Sequence, residues 1–525
     1  MGMISTPYAS EILTLNEQIM YILCMTTKLT LTAPERDFFK CVAQAAFANP
    51  FSQTRRDLDR IIAGTAVVMS WDNLVIEATV RISEKLEKLK KNGRDDLKRY
   101  GSDDWELLRT AFLFDIYHRY RLIFDEFILK QLAAGDTPIP VPFAREILAH
   151  IAALGMDPTE CQRYLAIFYQ TRRAFYFIET ALVGLSPSMH ALRLQLWNNI
   201  FTCNINWYEK HLWNRMEDFS TLLLGETGTG KGAAAAAIGR SGFIPFDPRR
   251  GCFVESFTRN FIAINLSQYP ESLLESELFG HKKGAFTGAI ENHEGIFSRC
   301  TPHGSIFLDE IGDVSIPVQI KLLQVIQERT FTPVGSHEKL RFNGRVIAAT
   351  NRPLDELRHT GQFRDDFYYR LCSDIIVVPP LRQRVQEEPH ELEALIASIL
   401  RRMIGEAAAP YARLVREALV RDLGGAYPWP GNVRELEQAV RRIIITRHYR
   451  GDTATAPSGQ LEQLMADIDS GSMDAQALLA DYCALLYRRH GTYEEVARRT
   501  KLDRRTVKKY IQLVIGEPLS GQAAG

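Results

Sequence analysis

The sequence predicts a multidomain chain: a helical N-terminal domain, an α/β core, and an all-α C-terminal domain of helix-turn-helix type. Three observations lead there. Up to about residue 200, apolar residues recur at the three- and four-residue spacing of amphipathic helices. Between about 220 and 380, short apolar runs of strand length end in polar residues and alternate with helical stretches, the pattern of a parallel sheet. Near the C-terminus, three short helical patterns follow one another across tight turns.

Composition sets outer bounds. A chain of 525 residues has room for three or four domains with large cores. Lys and Arg total 63 and Asp and Glu total 63, so the formal net charge is zero. That excludes bulk polyanion binding by the whole chain and leaves a local basic patch possible. The eight cysteines, at 24, 41, 161, 203, 252, 300, 372 and 483, form no C-x-x-C pair. They fit reduced thiols in a cytoplasm better than a disulfide frame or a zinc site. No apolar run reaches spanning length and no basic segment precedes an apolar one at the N-terminus, so a cytoplasmic protein with no membrane partner is expected.

In order, residues 1–195 read as a helical regulatory or sensor domain. Trp105 to Ala134, closed by Gly135, is expected as one long amphipathic helix. Phe143, Ile147, Leu148, Ile151 and Leu154 make another. Asp157-Pro158-Thr159-Glu160 has the cap, first-turn proline and acidic third residue of a helix start, and Ser186-Pro187 opens a further one. The run Glu84 to Lys91 reads as a solvated helix surface. Aromatic residues are dense between Tyr164 and Trp213; such a stripe is usually core, and a small-molecule pocket or partner groove is the sharper reading.

The core is organised around Thr221 to Gly232. An apolar strand runs into Gly225-Glu226-Thr227-Gly228-Thr229-Gly230-Lys231-Gly232, followed by an alanine-rich helix start. This is the G-x-x-x-x-G-K spacing of a phosphate-binding loop. Glycines let successive N–H groups turn towards an anion, the helix N-terminus adds positive potential, and Lys231 can reach the terminal phosphates. Gly232 stands where a Ser or Thr hydroxyl would normally meet Mg²⁺, so other groups or water must hold the metal. Asn260 to Asn265 reads as a second strand, after a turn-rich connection over 240–258. Gly284-Ala285-Phe286-Thr287-Gly288-Ala289 reads as a flexible hairpin tip with an exposed phenylalanine and a contact role; for a lone aromatic loop residue, a ring tucked back into its own domain is the default alternative. Gly304 to Glu310 is a strand ending in two carboxylates: Asp309 suits Mg²⁺, and Glu310 suits polarising the water that attacks a γ-phosphate. Asn351, at the end of a further strand, can orient that water. Arg364 and Arg370 either pair with Asp365 and Asp366 or reach the nucleotide of a neighbouring subunit. Arg434, in the first turn of a helix after Pro430-Gly431, can fold back over the phosphates.

Residues 451–473 read as a linker. In 474–525, Ala477, Leu478, Tyr482, Leu485 and Leu486 outline a first helix, 491–500 a second, and Asp503 caps a third through Val507 and Ile511. Arg504, Arg505, Lys508 and Lys509 lie largely opposite Val507 and Ile511, a face suited to phosphates and base edges. A solvated basic helix is the plainer reading.

Residues from about 200 to 450 resemble the AAA+ ATPase domain of bacterial sigma-54-dependent transcription activators, the enhancer-binding proteins. The resemblance rests on Gly225 to Gly232, Glu275 to Gly280, Gly284 to Ala289, Gly304 to Glu310, Ala349 to Asn351, Phe363 to Leu371, Pro379 to Arg382 and Trp429 to Leu436, in that order. It implies an α/β ATPase subdomain over 196–380 and a helical lid over 381–450. By that resemblance Asp309 and Glu310 form the second nucleotide motif, Asn351 is the first sensor and Arg434 the second. Arg364 and Arg370 are then trans-acting arginines, and Asn265 holds the catalytic glutamate. The segment 474–525 resembles the Fis-type DNA-binding domain of these activators. Implied in turn are ATP and Mg²⁺, a ring that is hexameric by family precedent, contact of Gly284 to Ala289 with the sigma-54 RNA polymerase holoenzyme, and enhancer DNA. Two rival readings are a AAA+ remodeller with another protein target and a DNA-binding repressor with a vestigial ATPase. Gly232 and the long 240–258 connection depart from the family pattern.

Overall fold

A computed structural model describes residues 28–67, 69–425, 427–451, 464–465, 468, 471 and 473–515. The described residues form two compact units: those of 1–416 with 431–440, and those of 417–430 with 441–525. No helix among them is long and apolar enough to cross a membrane.

Among the described residues, eight α-helices lead the first unit. Helices α1 (Ala33–Phe47), α2 (Gln53–Ala63), α3 (Trp71–Lys91) and α4 (Ser102–Arg119) share a core that includes Phe39, Val42, Ile62, Ala78, Ile82 and Leu108. Ser52 and Ser70 cap α2 and α3 by accepting from the Arg55 and Asn73 amides. On α3, Leu86 and Leu89 are buried beneath an otherwise largely exposed charged run, as expected for a surface helix. The single helix expected over Trp105 to Ala134 is instead two, α4 and α5 (Arg121–Ala134), broken at Tyr120. Neither Gly nor Pro marks the break. Tyr120 is buried against Phe143 and shares a 3.1 Å hydrogen bond with His150 Nδ1, so tertiary packing overrides local helix preference. Helix α6 (Ala144–Ala152) precedes α7 (Pro158–Ala181), whose cap Asp157 accepts from the Thr159 and Glu160 amides, and α8 (Pro187–Phe201) starts at Ser186 as expected.

The α/β core is a five-stranded parallel sheet in the order β2-β3-β4-β1-β5, with β1 (Thr221–Leu224), β2 (Phe261–Asn265), β3 (Ser305–Asp309), β4 (Arg345–Thr350) and β5 (Asp374–Val377). Alternate residues face opposite ways. Leu222, Ile264, Ile306, Leu308 and Ala348 enter one core. Leu223, Phe307, Ile347 and Ile376 enter the other, shared with helix α9 (Lys231–Gly239) and with Tyr169, Phe177, Leu192, Trp197 and Phe201 of α7 and α8. The aromatic stripe is therefore largely core.

The apolar core thus continues across the boundary expected at 195/196, which falls inside α8. Helix α9 is nearly all alanine on its buried side, so α7 comes close enough for Arg173, fully buried, to donate to the Arg240 and Gly242 carbonyls at 2.6 and 2.7 Å. From α8, the Asn199 amide group donates to Thr221 Oγ1 and Asp374. The 240–258 connection holds a short antiparallel ladder, Phe246 with Phe253 and Asp247 with Cys252, and Phe253 stacks on Tyr169 of α7 at 4.1 Å.

Beyond the sheet come α10 (Glu271–Phe279), α11 (Ile316–Glu328) and α12 (Asp365–Leu371), followed by α13 (Leu381–Glu387), α14 (Glu391–Ile404), α15 (Ala409–Leu423) and α16 (Asn432–Thr446). Most of the expected 451–473 linker lies outside the described residues. In the second unit, α17 (Ala475–His490), α18 (Tyr493–Thr500) and α19 (Arg504–Ile515) pack on Cys483, Leu486, Val496, Val507 and Ile511. Here the expected apolar face of the first helix is corrected: Leu478 and Tyr482 are exposed, and Ala480, Cys483 and Ala484 are buried, because small side chains let α19 approach.

Arg173, fully buried, anchors α7 to the α/β core with its two bonds to backbone carbonyls. Arg173→Met should lower stability by about 2–4 kcal/mol in urea unfolding, and an unchanged midpoint would show that the helix is held by apolar contacts alone.

Candidate functional site

Strand β1 lies between β4 and the edge strand β5, and the loop after it closes on α9 at the carboxyl edge where open α/β sheets bind ligands. A cavity of about 550 Å³ opens there, lined by Thr227 to Ala233, Asn265, Asp309, Glu310 and Arg434. The sequence-predicted loop, both strand-end carboxylates and Arg434 therefore converge on one space.

The loop is shaped by two glycines. Gly228 has φ +81°, and a Cβ there would lie 2.3 Å from the Gly431 carbonyl oxygen. Gly230 has φ +108° at the N-cap of α9. Lys231 is buried, and its ammonium donates to the carbonyls of Gly225 at 2.9 Å and Glu226 at 3.2 Å. Burial lowers its pKa, against the pull of Glu310 and Asp309. Burial likewise raises the pKa of Asp309 and Glu310, with Lys231 opposing. Glu310 sits in a left-handed backbone conformation, φ 57°, and its buried Oε2 has no hydrogen-bond partner among the described residues. A buried carboxylate oxygen without a donor among the described residues, on a residue that lines the cavity together with Lys231 and the glycine loop, suits a site for a triphosphate and an attacking water.

Asn351 donates to Thr227 Oγ1 at 2.8 Å, tying the end of β4 to the loop. Asn265 lines the cavity, but its side-chain oxygen accepts from the Ser267 amide and hydroxyl. No hydrogen bond joins Asn265 to Glu310 among the described residues; the turn after β2 engages the Asn265 oxygen and leaves its Nδ2 as the donor that such a hold would use. A Cβ on Gly232 would meet only Phe307, at 4.0 Å, so the missing hydroxyl is not a steric demand. Arg364 and Arg370 do not line this cavity. Arg364 pairs with Asp366 at 2.7 Å, and Arg370 is exposed.

The Gly284 to Ala289 segment corrects a second expectation. It is a compact turn closed by Gly284 N–H to the Ala289 carbonyl at 2.8 Å and Ala289 N–H to the Phe286 carbonyl at 3.0 Å. Phe286 is half-buried rather than exposed, its ring edge-on to His281 at 4.9 Å. The imidazole gives the ring an apolar and quadrupolar partner that water does not.

Several site residues escaped sequence reasoning. Glu226 is held by Arg382 at 2.5 and 2.8 Å, which lowers its pKa, and by Asn432. The Asn432 amide, buried at φ 54°, also donates to the Thr227 carbonyl and accepts from the Leu381 N–H at 2.7 Å. Thr180 to Val183, at the end of α7, and Arg384 line the cavity too. Arg384 pairs with the fully buried Glu391 at 2.6 Å and donates to the Val183 carbonyl, and Glu391 accepts from the Leu185 and Ser186 amides. The Leu381-Arg382-Gln383-Arg384 spacing was the available signal; the α7 end carries none.

Because its carboxylate is disfavoured by burial, Glu310→Gln should raise Tm by about 1–2 °C near pH 8. A raised acid pKa costs stability above that pKa and nothing once the group is protonated in both states, so the gain should shrink as pH falls towards about 5. A gain that is independent of pH would refute the charge explanation.

Comparison with known proteins places this geometry. Residues 208–376 match the sigma-54 interaction domain, and residues 387–470 match the AAA+ ATPase lid domain. The chain is 37% identical over 332 residues to the transcriptional regulatory protein ZraR of Klebsiella oxytoca, covering 62% of this chain and 67% of that one. It is 44% identical over 227 residues to the hydrogenase transcriptional regulatory protein HoxA of Cupriavidus necator, covering 43% of each. With the Nif-specific regulatory protein of Azotobacter vinelandii it shares 38% over 278 residues, 52% of this chain and 46% of that one. Apart from ZraR, the match spans about half or less of each of these relatives. Sheet, lid, phosphate loop and these matches agree: the chain belongs to the AAA+ family of sigma-54-dependent transcriptional regulators.

Proposed function

We propose that the chain is a sigma-54-dependent transcription activator that binds DNA upstream of its promoter and hydrolyses ATP to remodel the sigma-54 RNA polymerase holoenzyme into an open complex. The observation that carries this is the convergence of Lys231, Asp309, Glu310, Asn351 and Arg434 about one cradle in a chain that also retains Gly284 to Ala289 intact.

In this reading the loop amides and Lys231 bind the β- and γ-phosphates. Glu310, with an unpartnered oxygen, takes the position of the group that orients and deprotonates the attacking water. Asp309 would hold Mg²⁺, which supplies charge neutralisation at the phosphates. Asn351, already bonded to Thr227, reads the end of the phosphate chain, and Arg434 covers it from the lid. Arg364 and Arg370, outside the chain's own cavity, serve the nucleotide of the next subunit in a ring, taken as a hexamer. The turn at Phe286 is the element that meets the polymerase, which requires the ring to leave His281. Arg504, Arg505, Lys508 and Lys509 are all exposed on α19, a face suited to enhancer DNA. In this reading the chain divides by role into 1–195, 196–380, 381–450, 451–473 and 474–525, although helix α8 and the apolar core run across 195/196.

Lys231→Ala should abolish ATP binding in an equilibrium assay, and retained turnover would refute the cradle as the site. Thr287→Ala should keep ATPase activity while losing sigma-54-dependent open-complex formation in transcription from a purified template; preserved transcription would favour a remodeller with another target.

A further inference from the structure

The helical N-terminal region holds another cavity, of about 500 Å³, and none of the residues lining it lines the nucleotide cavity. Its size is that of a small-molecule site rather than a packing defect. Phe114, Tyr117, Phe168, Phe175 and Trp197 form much of its wall. Tyr117 meets Phe168 at 5.6 Å, and Phe175 meets Trp71 at 5.7 Å, so flat apolar faces surround the space.

The charges on the wall distinguish what fits. Arg55 is paired with Asp59 at 2.9 Å, Arg172 with Asp125 at 2.6 Å and Lys210 with Glu106 at 3.2 Å. Arg109 donates to the Tyr164 hydroxyl, which in turn donates to Glu209. Arg121 is different: half-buried on the wall, it makes no ion pair or hydrogen bond among the described residues. One turn before it, His118 packs its ring on Phe114 at 4.2 Å and likewise has no hydrogen-bond partner among the described residues. Burial, then the charges of Arg55, Arg121 and Arg172, hold its pKa well below the ordinary value, so it is a neutral donor or acceptor. The one acidic group on the wall without a partner among the described residues, Asp72, is exposed in the first turn of α3, where the helix dipole favours its charge.

We propose that this cavity is an effector site for an arylalkyl carboxylate, with the aromatic body among the rings, the carboxylate on Arg121 and a hydrogen bond to His118. A guanidinium without a carboxylate partner is unspent as a donor, and its planar fork matches a carboxylate. Helix α7 carries the occupancy onward. Tyr164, Phe168, Arg172 and Phe175 face this cavity, and Thr180 and Ala181 at the same helix's end line the nucleotide cavity. The segment after it is clamped by Arg384 and Glu391. Only this onward step rests on the nucleotide reading proposed above.

The test uses the full chain, with Trp71 and Trp197 on the cavity wall as fluorescence reporters. Phenylacetate should give saturable quenching and bind at least about 10-fold more tightly than phenylacetamide. Arg121→Met should abolish that preference at unchanged Tm and leave the amide's affinity as it was, while Arg121→Lys keeps part of it. No saturable response to phenylacetate, tighter binding of phenethylamine, or an intact preference in Arg121→Met would each overturn the site. Saturating phenylacetate should change ATP turnover of the wild-type chain at least about twofold, and that of Arg121→Met not at all; saturable binding with unaltered turnover would overturn the coupling. A chain with no turnover under any condition would count against the nucleotide reading, and the fluorescence result would still decide the site.

Discussion

The amide of Asn432 is the contact on which the candidate site depends. A single buried side chain donates to Glu226 and to the Thr227 carbonyl, and accepts from the backbone of Leu381. It thereby joins the phosphate loop, the entry to the lid and the start of α16. A carboxylate could not donate, and an aliphatic side chain would remove the bond to the Leu381 N–H and both bonds to the loop, leaving Glu226 to Arg382 alone. The backbone pays for this with a left-handed residue, tolerable for asparagine because its short polar side chain bonds locally. The close approach of Gly228 to the Gly431 carbonyl follows from the same contact, since the loop can lie against the lid only where no Cβ intervenes.

A second constraint is the thinness of α9. An alanine-rich helix buries little area of its own, so the face of the sheet above it must be completed by something else. Here α7 and α8 complete it, and the 240–258 connection folds onto α7 through Phe253. The consequence is that the helical region and the α/β core share one apolar interior. Packed side chains rather than a flexible tether therefore connect α7 with β1 and with the cavity edge.

The parts legible in the sequence were those where chemistry demands a spacing. The phosphate loop, the carboxylates ending β3 and the polar end of β4 were read because an anion site imposes glycines, a lysine and strand ends in a given order. Helix starts at Asp157 and Ser186 were legible for the same local reason. What was hidden arises from contacts between distant segments. The break at Tyr120 comes from its burial against Phe143, the engagement of Asn265 by Ser267 from a turn that also fits a cap, and the true face of α17 from small residues that hydrophobicity ranks below Leu478 and Tyr482. Thr180 to Val183 carry no pattern at all; only the fold brings them to the cavity.

The docking of Phe286 on His281 has a consequence for colloidal behaviour. A phenylalanine on a glycine-flanked tip, left in water, would be an adhesive spot on every free protomer. Seated on an imidazole, it is withheld from chance encounters, and any binder must first undo a contact worth about 1 kcal/mol. That toll discriminates among binders: one offering a better apolar seat than a histidine can collect the ring, and weaker surfaces pass by.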